Sequence, residues 1–428
     1  MAKRIVLTTF GSFGDLHPYM ALALELRRRG HEAVIATSGV YRKKIEGAGL
    51  GFADVRPDLL PPEEAQDMIA KVMDERRGPA YLFKKMLMPA LRDSYDDLLA
   101  ATDGADLMIG HLITFAAPLV AEKRRLRWVS IALQPSVFFS VYDPPILPGA
   151  PWPAWFHGLG PGVTRALFSL ARGVQSFWFQ PILGLRKELG LPPPACADLD
   201  MQVSPYLHLA LFSRMLAAPQ PDWPAQTRQT GFCFYDQLEA GKDLTAEIDA
   251  FLNAGSPPVV FTLGSSAVMN PGTFYKESLE AVKPLNTRAL LLVGSDPGGL
   301  LSQKLPDSIL AAPYAPYSEV FPRCAAIVHQ GGVGTTAQAL RSGRPQLVVP
   351  FAYDQPDNGA RVARQGAGSV LARRRYKSER VVEALKTLLE NPSFARRAGE
   401  IGQIVREEEG VWAAADAVDE QLALAGVE

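Results

Sequence analysis

Apolar runs only a few residues long, rich in Val, Ile and Leu, recur along the chain, and after each the apolar positions return at helical spacing over a longer stretch. A run with no polar face reads as a strand covered on both sides, so the alternation predicts parallel sheets with helices on either face. In the first half the strand candidates are Arg4 to Thr9, Ala33 to Thr37, Leu107 to Gly110, Trp128 to Leu133 and Leu207 to Phe212. Between the first two, Leu16 to Arg29 has helical periodicity and stops at Gly30, completing a βαβ unit. The second half starts afresh with Val259 to Leu263, Leu290 to Val293, Ile327 to His329 and Leu347 to Val349. The intervening segment AAPQPDWPAQTRQTG, residues 217–231, has three prolines and no apolar period, which marks a linker. The expected organisation is therefore α/β, with two doubly wound parallel-sheet (Rossmann-like) domains over residues 1–216 and 232–410. The tail, residues 411–428, reads as an amphipathic helix that can pack on either domain, the first included. Two such units leave a cleft between the carboxyl ends of their strands, where doubly wound folds bind ligands.

Composition narrows the partners. At 428 residues, with 47% hydrophobic and 21% charged, the chain is globular and long enough for two cores. Its 44 Lys and Arg balance 45 Asp and Glu, which argues against a nucleic-acid partner. Cys196, Cys233 and Cys324 are widely spaced, odd in number and free of Cys-x-x-Cys, the usage of a reducing compartment without disulfides or a zinc site. The first apolar stretch, Ile5 to Thr9, is shorter than a signal peptide's core, and no run approaches ~18 apolar residues, so a cytoplasmic location is expected.

Candidate chemistry is densest from Val328 to Gln355, VHQGGVGTTAQALRSGRPQLVVPFAYDQ. A strand ends at His329, a glycine-dense turn with Gly331, Gly332 and Gly334 follows, and a helix begins near Thr335. Glycines let backbone approach a ligand closely, and a helix start offers unpaired amides and the positive end of the dipole, which together suit a diphosphate. His329 adds a donor, Thr335 and Thr336 add hydroxyls, and a turn that uses glycine for packing alone is the structural alternative. After the next strand Asp354 and Gln355 place a carboxylate and an amide where sugar hydroxyls could be held.

This block resembles the donor signature of the family-one glycosyltransferases of the GT-B fold, which runs from aromatic-x-Pro through His-x-Gly to Pro-x-x-x-Asp-Gln. Here those positions are Tyr314-Ala315-Pro316, His329-Gln330-Gly331 and Pro350 through Asp354-Gln355. The Gly-Gly-x-Gly-Thr-Thr form is similar to the bacterial antibiotic and sterol branch. The resemblance implies Tyr314 near the nucleobase, His329 and the Gly334 to Thr336 turn at the diphosphate, Asp354 and Gln355 on the sugar, and Ser265 and Ser266, after Thr262-Leu263-Gly264, beside the phosphates. It also implies a UDP- or dTDP-sugar as co-substrate, inversion at the sugar, and neither cofactor nor metal. Ala337 stands where plant members carry a ribose-binding glutamate, which suits a deoxyribose donor without excluding a uridine one.

On the acceptor side, the loop Phe10-Gly11-Ser12-Phe13-Gly14-Asp15-Leu16-His17-Pro18 brings a carboxylate to the end of the first strand. Inverting transfer needs a base for the acceptor's proton, and Asp15 is the candidate, matching the family's Gly-His-x-x-Pro position; a simple helix cap is the alternative. His111, past Leu107 to Gly110, occupies the place of the acid that orients the plant histidine, so an imidazole and a carboxylate are expected near one another with exchanged identities, both candidates for carrying the proton. His31, His157 and His208 read as structural, and Asp198-x-Asp200 as a solvated loop. Phe13 with the aromatic-rich stretch carrying Phe138, Phe139, Tyr142 and Trp155 is expected to receive a flat or greasy acceptor, such as a polyphenol, macrolide, sterol or lipid. The same aromatics equally suit a packed core, or a lid resting weakly on a membrane. A nicotinamide dehydrogenase is disfavoured, since Gly11-x-x-Gly14 is not Gly-x-Gly-x-x-Gly and Thr37-Ser38-Gly39 offers no ribose acid. A nucleotide-sugar epimerase or a non-catalytic sugar-nucleotide binder are the remaining alternatives.

Overall fold

Strands made of consecutive Val, Ile and Leu have no polar face, and the computed structural model of the chain, which describes residues 2–60, 64–148, 160–236, 244–296 and 298–425, buries them on both sides of two sheets. The first contains β1 (Arg4–Thr8), β2 (Glu32–Thr37), β3 (Gly51–Asp54), β4 (Leu107–His111), β5 (Trp128–Ala132), β6 (Leu207–Ala210) and β7 (Thr227–Gln229), ordered β3-β2-β1-β4-β5-β6-β7. Every pair is parallel, with Ile5 opposite both Ala33 and Leu107. The second contains β8 (Val259–Thr262), β9 (Ala289–Leu292), β10 (Ile309–Ala312), β11 (Ala326–His329), β12 (Gln346–Val348) and β13 (Gly368–Val370), ordered β10-β9-β8-β11-β12-β13. Both sheets change direction at their first strand, so each has a topological switch point, one between β1 and β4 and the other between β8 and β11.

Every predicted strand is present within a residue or two. The unpredicted ones, β3, β7, β10 and β13, are all edge strands. An edge strand needs no continuous apolar run, and GFAD, TRQ and GSV carry none. One consequence is that the proline-rich segment read as a linker contributes β7 to the first sheet before the chain crosses.

The chain crosses between the domains twice, once at Gly231 and Phe232 and again just before the helix Gly410–Ala425, where Gly410 packs backbone to backbone on Phe232. That helix lies along the first helix, Phe13–Arg28. Arg29 pairs with Asp416 at 2.6 Å and Asp419 at 2.8 Å, and the Arg28 guanidinium sits 4.3 Å above the Trp412 ring. An apolar seam joins the domains, with Leu112, Ala132 and Phe212 on one side and Ala337, Leu340 and Val348 on the other. No helix among the described residues is long and apolar enough to cross a membrane.

Candidate active site

At the end of β1 the chain turns through Gly11 and enters the Phe13 helix, whose N-cap is Ser12. The helix thus starts three residues before the predicted Leu16, and Asp15 is its third residue rather than its cap. Ser12 Oγ accepts the Gly14 amide at 3.2 Å, and Asp15 Oδ2 accepts the Ser12 amide at 2.7 Å, a reciprocal capping box. Gly11 is required because its φ is +129° and a Cβ there would lie 2.3 Å from Asp15 Oδ2. Asp15 is half-buried, and burial pushes its carboxyl up to about 6 despite the hydrogen bonds from Ser12.

The second turn mirrors the first. β11 ends at His329, and the helix Val333–Ser342 follows with Gly332 as N-cap and no capping side chain of its own. Gly331 has φ +92°, and a Cβ there would meet Gln355 O at 3.0 Å. The ring of His329 shapes this turn instead of facing the cleft. Its Nδ1 accepts the Gly331 amide at 3.1 Å, its Nε2 contacts Gln346 Oε1 at 3.0 Å, and burial holds it down to about 4, so both nitrogens are committed and the ring is neutral. The expected His329 donor to a ligand is therefore absent from this arrangement. The Val333 amide goes to Asp354 Oδ2 at 3.1 Å, which leaves the Gly334 and Thr335 amides as the open positions of the first turn.

Asp354 is held by Asn358 Nδ2 at 2.5 Å, and Asn358 also reaches Gly331 O at 2.9 Å, so the Asp354 turn and the glycine turn form one unit. Gln355 Oε1 accepts the Phe351 and Ala352 amides at 2.7 and 3.0 Å, fixing the approach to the helix Gln355–Arg364. The Asp354 carboxyl is pushed up to about 7, first by burial and then by the negative charge of Asp15 across the cleft. The two helix starts face each other closely enough that a Cβ on Gly334 would come within 3.7 Å of the Gly14 Cα.

Beside this meeting point lies an interdomain cavity of about 450 Å³. Ser265, Tyr314, Gly334 and Thr335 line it from the second domain, Phe13, His17 and Lys44 from the first, and Phe234 and Tyr235 from the crossing segment. Phe13, His17 and Tyr235 stack at 5.2 and 5.0 Å, and the Lys44 ammonium lies 5.2 Å from the Phe13 ring centroid. Tyr317 bonds Thr262 Oγ1 at 2.8 Å, tying the segment after Tyr314 to the end of β8. None of Lys44, Tyr235 and Tyr317 was flagged by the sequence motifs, because their positions are set by packing from other elements.

His111 and Asp15 flank the first switch point but share no direct hydrogen bond. Thr9 Oγ1 stands between them, 3.3 Å from His111 Nδ1 and 3.5 Å from the Asp15 carbonyl, and burial holds the imidazole down to about 4. Thr336 is fully buried behind the turn, and Ser266 lies outside the cavity wall, so of the four hydroxyls marked by the motifs Ser265 and Thr335 line it.

The aromatic stretch divides. Phe138 stacks on Trp223 at 4.1 Å and edges onto Phe212, filling the seam rather than receiving a ligand. Phe139 packs edge-on against Phe168 at 6.0 Å, Tyr142 is exposed, and Trp155 and His157 lie outside the described residues. A smaller hollow of about 30 Å³, unpredicted, sits behind Thr9 among Phe10, Leu87, Leu91, Ile113 and Phe115. His31 and His208 are structural, bonded to Asp419 at 2.9 Å and Ser130 at 2.7 Å, and Asp200 pairs with Arg172 at 2.8 Å.

Two Rossmann-like domains whose glycine turns meet at a shared cavity have the two-domain GT-B architecture. The comparisons agree. Residues 5–94 match the glycosyltransferase family 28 N-terminal domain and residues 281–409 the erythromycin biosynthesis protein CIII-like C-terminal domain. O-mycaminosyltylonolide 6-deoxyallosyltransferase of Streptomyces fradiae is 33% identical over 97% of both chains. The chain belongs to the family-one glycosyltransferases of the GT-B fold, among enzymes of the macrolide and antibiotic type. Among solved structures, the kitacinnamycin glycosyltransferase matches with a TM-score of 0.73 at 19% identity, covering 98% of this chain and 99% of that one. VinC in complex with dTDP matches at 0.69 and 22% identity, over 99% of this chain and all of the other.

Proposed function

We propose that the chain transfers a sugar, with inversion, from a dTDP-sugar to a hydroxyl of a lipophilic acceptor of the macrolide kind, with Asp15 as the base. The observation that carries this is the apposition of Asp15 and the open helix start at Gly334 across one cleft, close enough for the Asp15 charge to act on Asp354. In this reading Asp15 takes the acceptor hydroxyl's proton as its oxygen bonds to the anomeric carbon, and the bond from that carbon to the diphosphate breaks on the opposite face. The charge that develops on the departing diphosphate falls on the Gly334 and Thr335 amides and the Thr335 hydroxyl, which perform the service that a metal ion performs elsewhere. Asp354 and Gln355 stand at the sugar. His111, neutral and linked through Thr9, holds the turn that carries Asp15.

Deoxythymidine is favoured over uridine because Ala337 lines the cavity without a carboxylate for a 2′-hydroxyl, and because among the described residues the acid on that wall, Asp236, is bound to Gln338 at 3.0 Å and to Arg341. The dTDP-bound VinC supports the same choice by likeness of fold. The test is calorimetric titration with dTDP, UDP and GDP, followed by turnover of dTDP-glucose and UDP-glucose in EDTA with O-mycaminosyltylonolide, ergosterol and quercetin as acceptors. Tighter binding of dTDP and transfer to at least one acceptor are expected. Equal binding of all three nucleotides with no transfer favours a non-catalytic binder, and release of an isomerised nucleotide sugar favours an epimerase.

A further inference from the structure

Beyond β5, the first-domain segment 139–148 is fastened to the second domain by a buried ionic network. Arg361, on the Gln355 helix and 3% exposed, donates through Nε to Asp357 at 2.7 Å and through a terminal nitrogen to Asp143. Arg364 reaches the other Asp143 oxygen at 3.0 Å, and the Ile146 amide donates to Asp357 Oδ1 at 3.0 Å. Asp143 is 15% exposed, and against the upward push of burial the two arginines hold its carboxyl below the ordinary range.

Apolar contact of equal size often joins two surfaces as firmly as a desolvated ion pair, so firmness alone does not account for this choice. What a guanidinium fork adds is register, because it satisfies two carboxylates only in one relative placement. The helix it grips begins at Asp354 and Gln355, about two turns away, so the network sets the acceptor-side segment against the sugar-side residues.

We propose that Asp143, Arg361 and Asp357 form a positioning strap that holds segment 139–148 against the helix whose start carries Asp354, so that an acceptor hydroxyl and not water meets the donor sugar. The proposal rests on the transferase reading of the cleft. Asp143 is the informative member, since without it Arg361 keeps Asp357, and the segment loses both arginines and keeps the Ile146 amide bond to Asp357. Water then takes the acceptor's place. Its oxygen bonds to the anomeric carbon, the bond from that carbon to the diphosphate breaks, and one water proton goes to the base, which yields free sugar and nucleoside diphosphate.

The experiment compares full-length wild type with Asp143→Ala, and with Asp143→Asn to keep the volume should the alanine variant fail to fold. The donor is dTDP-glucose and the acceptor is whichever of the three probes wild type turns over fastest. Expected are an acceptor KM raised about tenfold, with kcat and dTDP affinity within about twofold of wild type, and a hydrolysis-to-transfer ratio raised about fivefold. Hydrogen exchange of the 140–148 amides should quicken about tenfold in the absence of any substrate. The strap is refuted if either the acceptor KM or this exchange stays at its wild-type value, or if dTDP affinity falls in step with the acceptor KM. Wild type that transfers to no acceptor refutes the transferase reading instead, and the substrate-free exchange still judges the strap.

Discussion

The two strand-to-helix turns that face each other across the cleft are built alike and finished differently. Each leaves a strand beside the switch point of its sheet, β1 or β11, passes a glycine at positive φ and opens a helix. The Phe13 helix closes its own start, since Ser12 and Asp15 take each other's amides, so an anion already belongs to it. The Val333 helix has only glycine at its cap and borrows Asp354 from the next turn for a single amide. A helix start that carries its own carboxylate has little left for a phosphate, whereas one capped by glycine keeps amides and dipole available. In the proposed reading the same supersecondary unit therefore serves as the base site in one domain and the anion site in the other.

Several substitutions break or sharpen that contrast. Removing the charge at the closed turn, Asp15→Asn, should lower kcat by about 10²- to 10⁴-fold while dTDP affinity by calorimetry stays within about twofold. At the open turn the ordering reverses. Gly331→Ala forces a side chain into φ +92° against Gln355 O, so dTDP binding should weaken about tenfold and the melting temperature fall by several degrees, with any residual turnover at saturating donor much less affected.

The carboxylates of the two turns also answer to pH. With Asp15 at about 6 and Asp354 at about 7, kcat/KM should climb as pH rises through that window, and Asp354→Asn should leave one limb near 6. Both groups hold protons in the folded chain that the unfolded chain releases near 4. The ligand-free protein should therefore lose stability as pH rises from about 4 through 7, by a smaller amount in Asp354→Asn, as thermal melts at fixed ionic strength will show. The smallest effect is expected from Ser12→Ala. Loss of the cap should cost about 1 kcal/mol, and because the Ser12 hydroxyl lowers the Asp15 pKa, the rising limb should shift slightly to higher pH.

Much of this was legible in the residues. Central strands must bury both faces, so β1, β4, β5, β8, β11 and β12 announce themselves as apolar runs, and the glycines and Asp-Gln pair mark the donor turn. Edge strands such as Thr227–Gln229 obey no such constraint and passed as linker. His329 shows the limit within a motif. Its residue type and place suggested a donor to phosphate, but Gln346 from a neighbouring strand and the Gly331 amide engage both its nitrogens. Phe138 likewise offered an acceptor wall on composition and went to the seam, because Trp223 arrives beside it from the segment leading into β7.

Local order in the chain determined the doubly wound units, the two glycine turns and the positions of Asp15, Asp354 and Gln355, because period, capping and turn chemistry act over a few residues. The tertiary structure alone decided that those turns meet, that Asp15 and Asp354 feel each other's charge, and that Asp143 finds Arg361 from the other domain. Such contacts join residues hundreds of positions apart, and they exist only once two separately formed sheets have packed along a common seam.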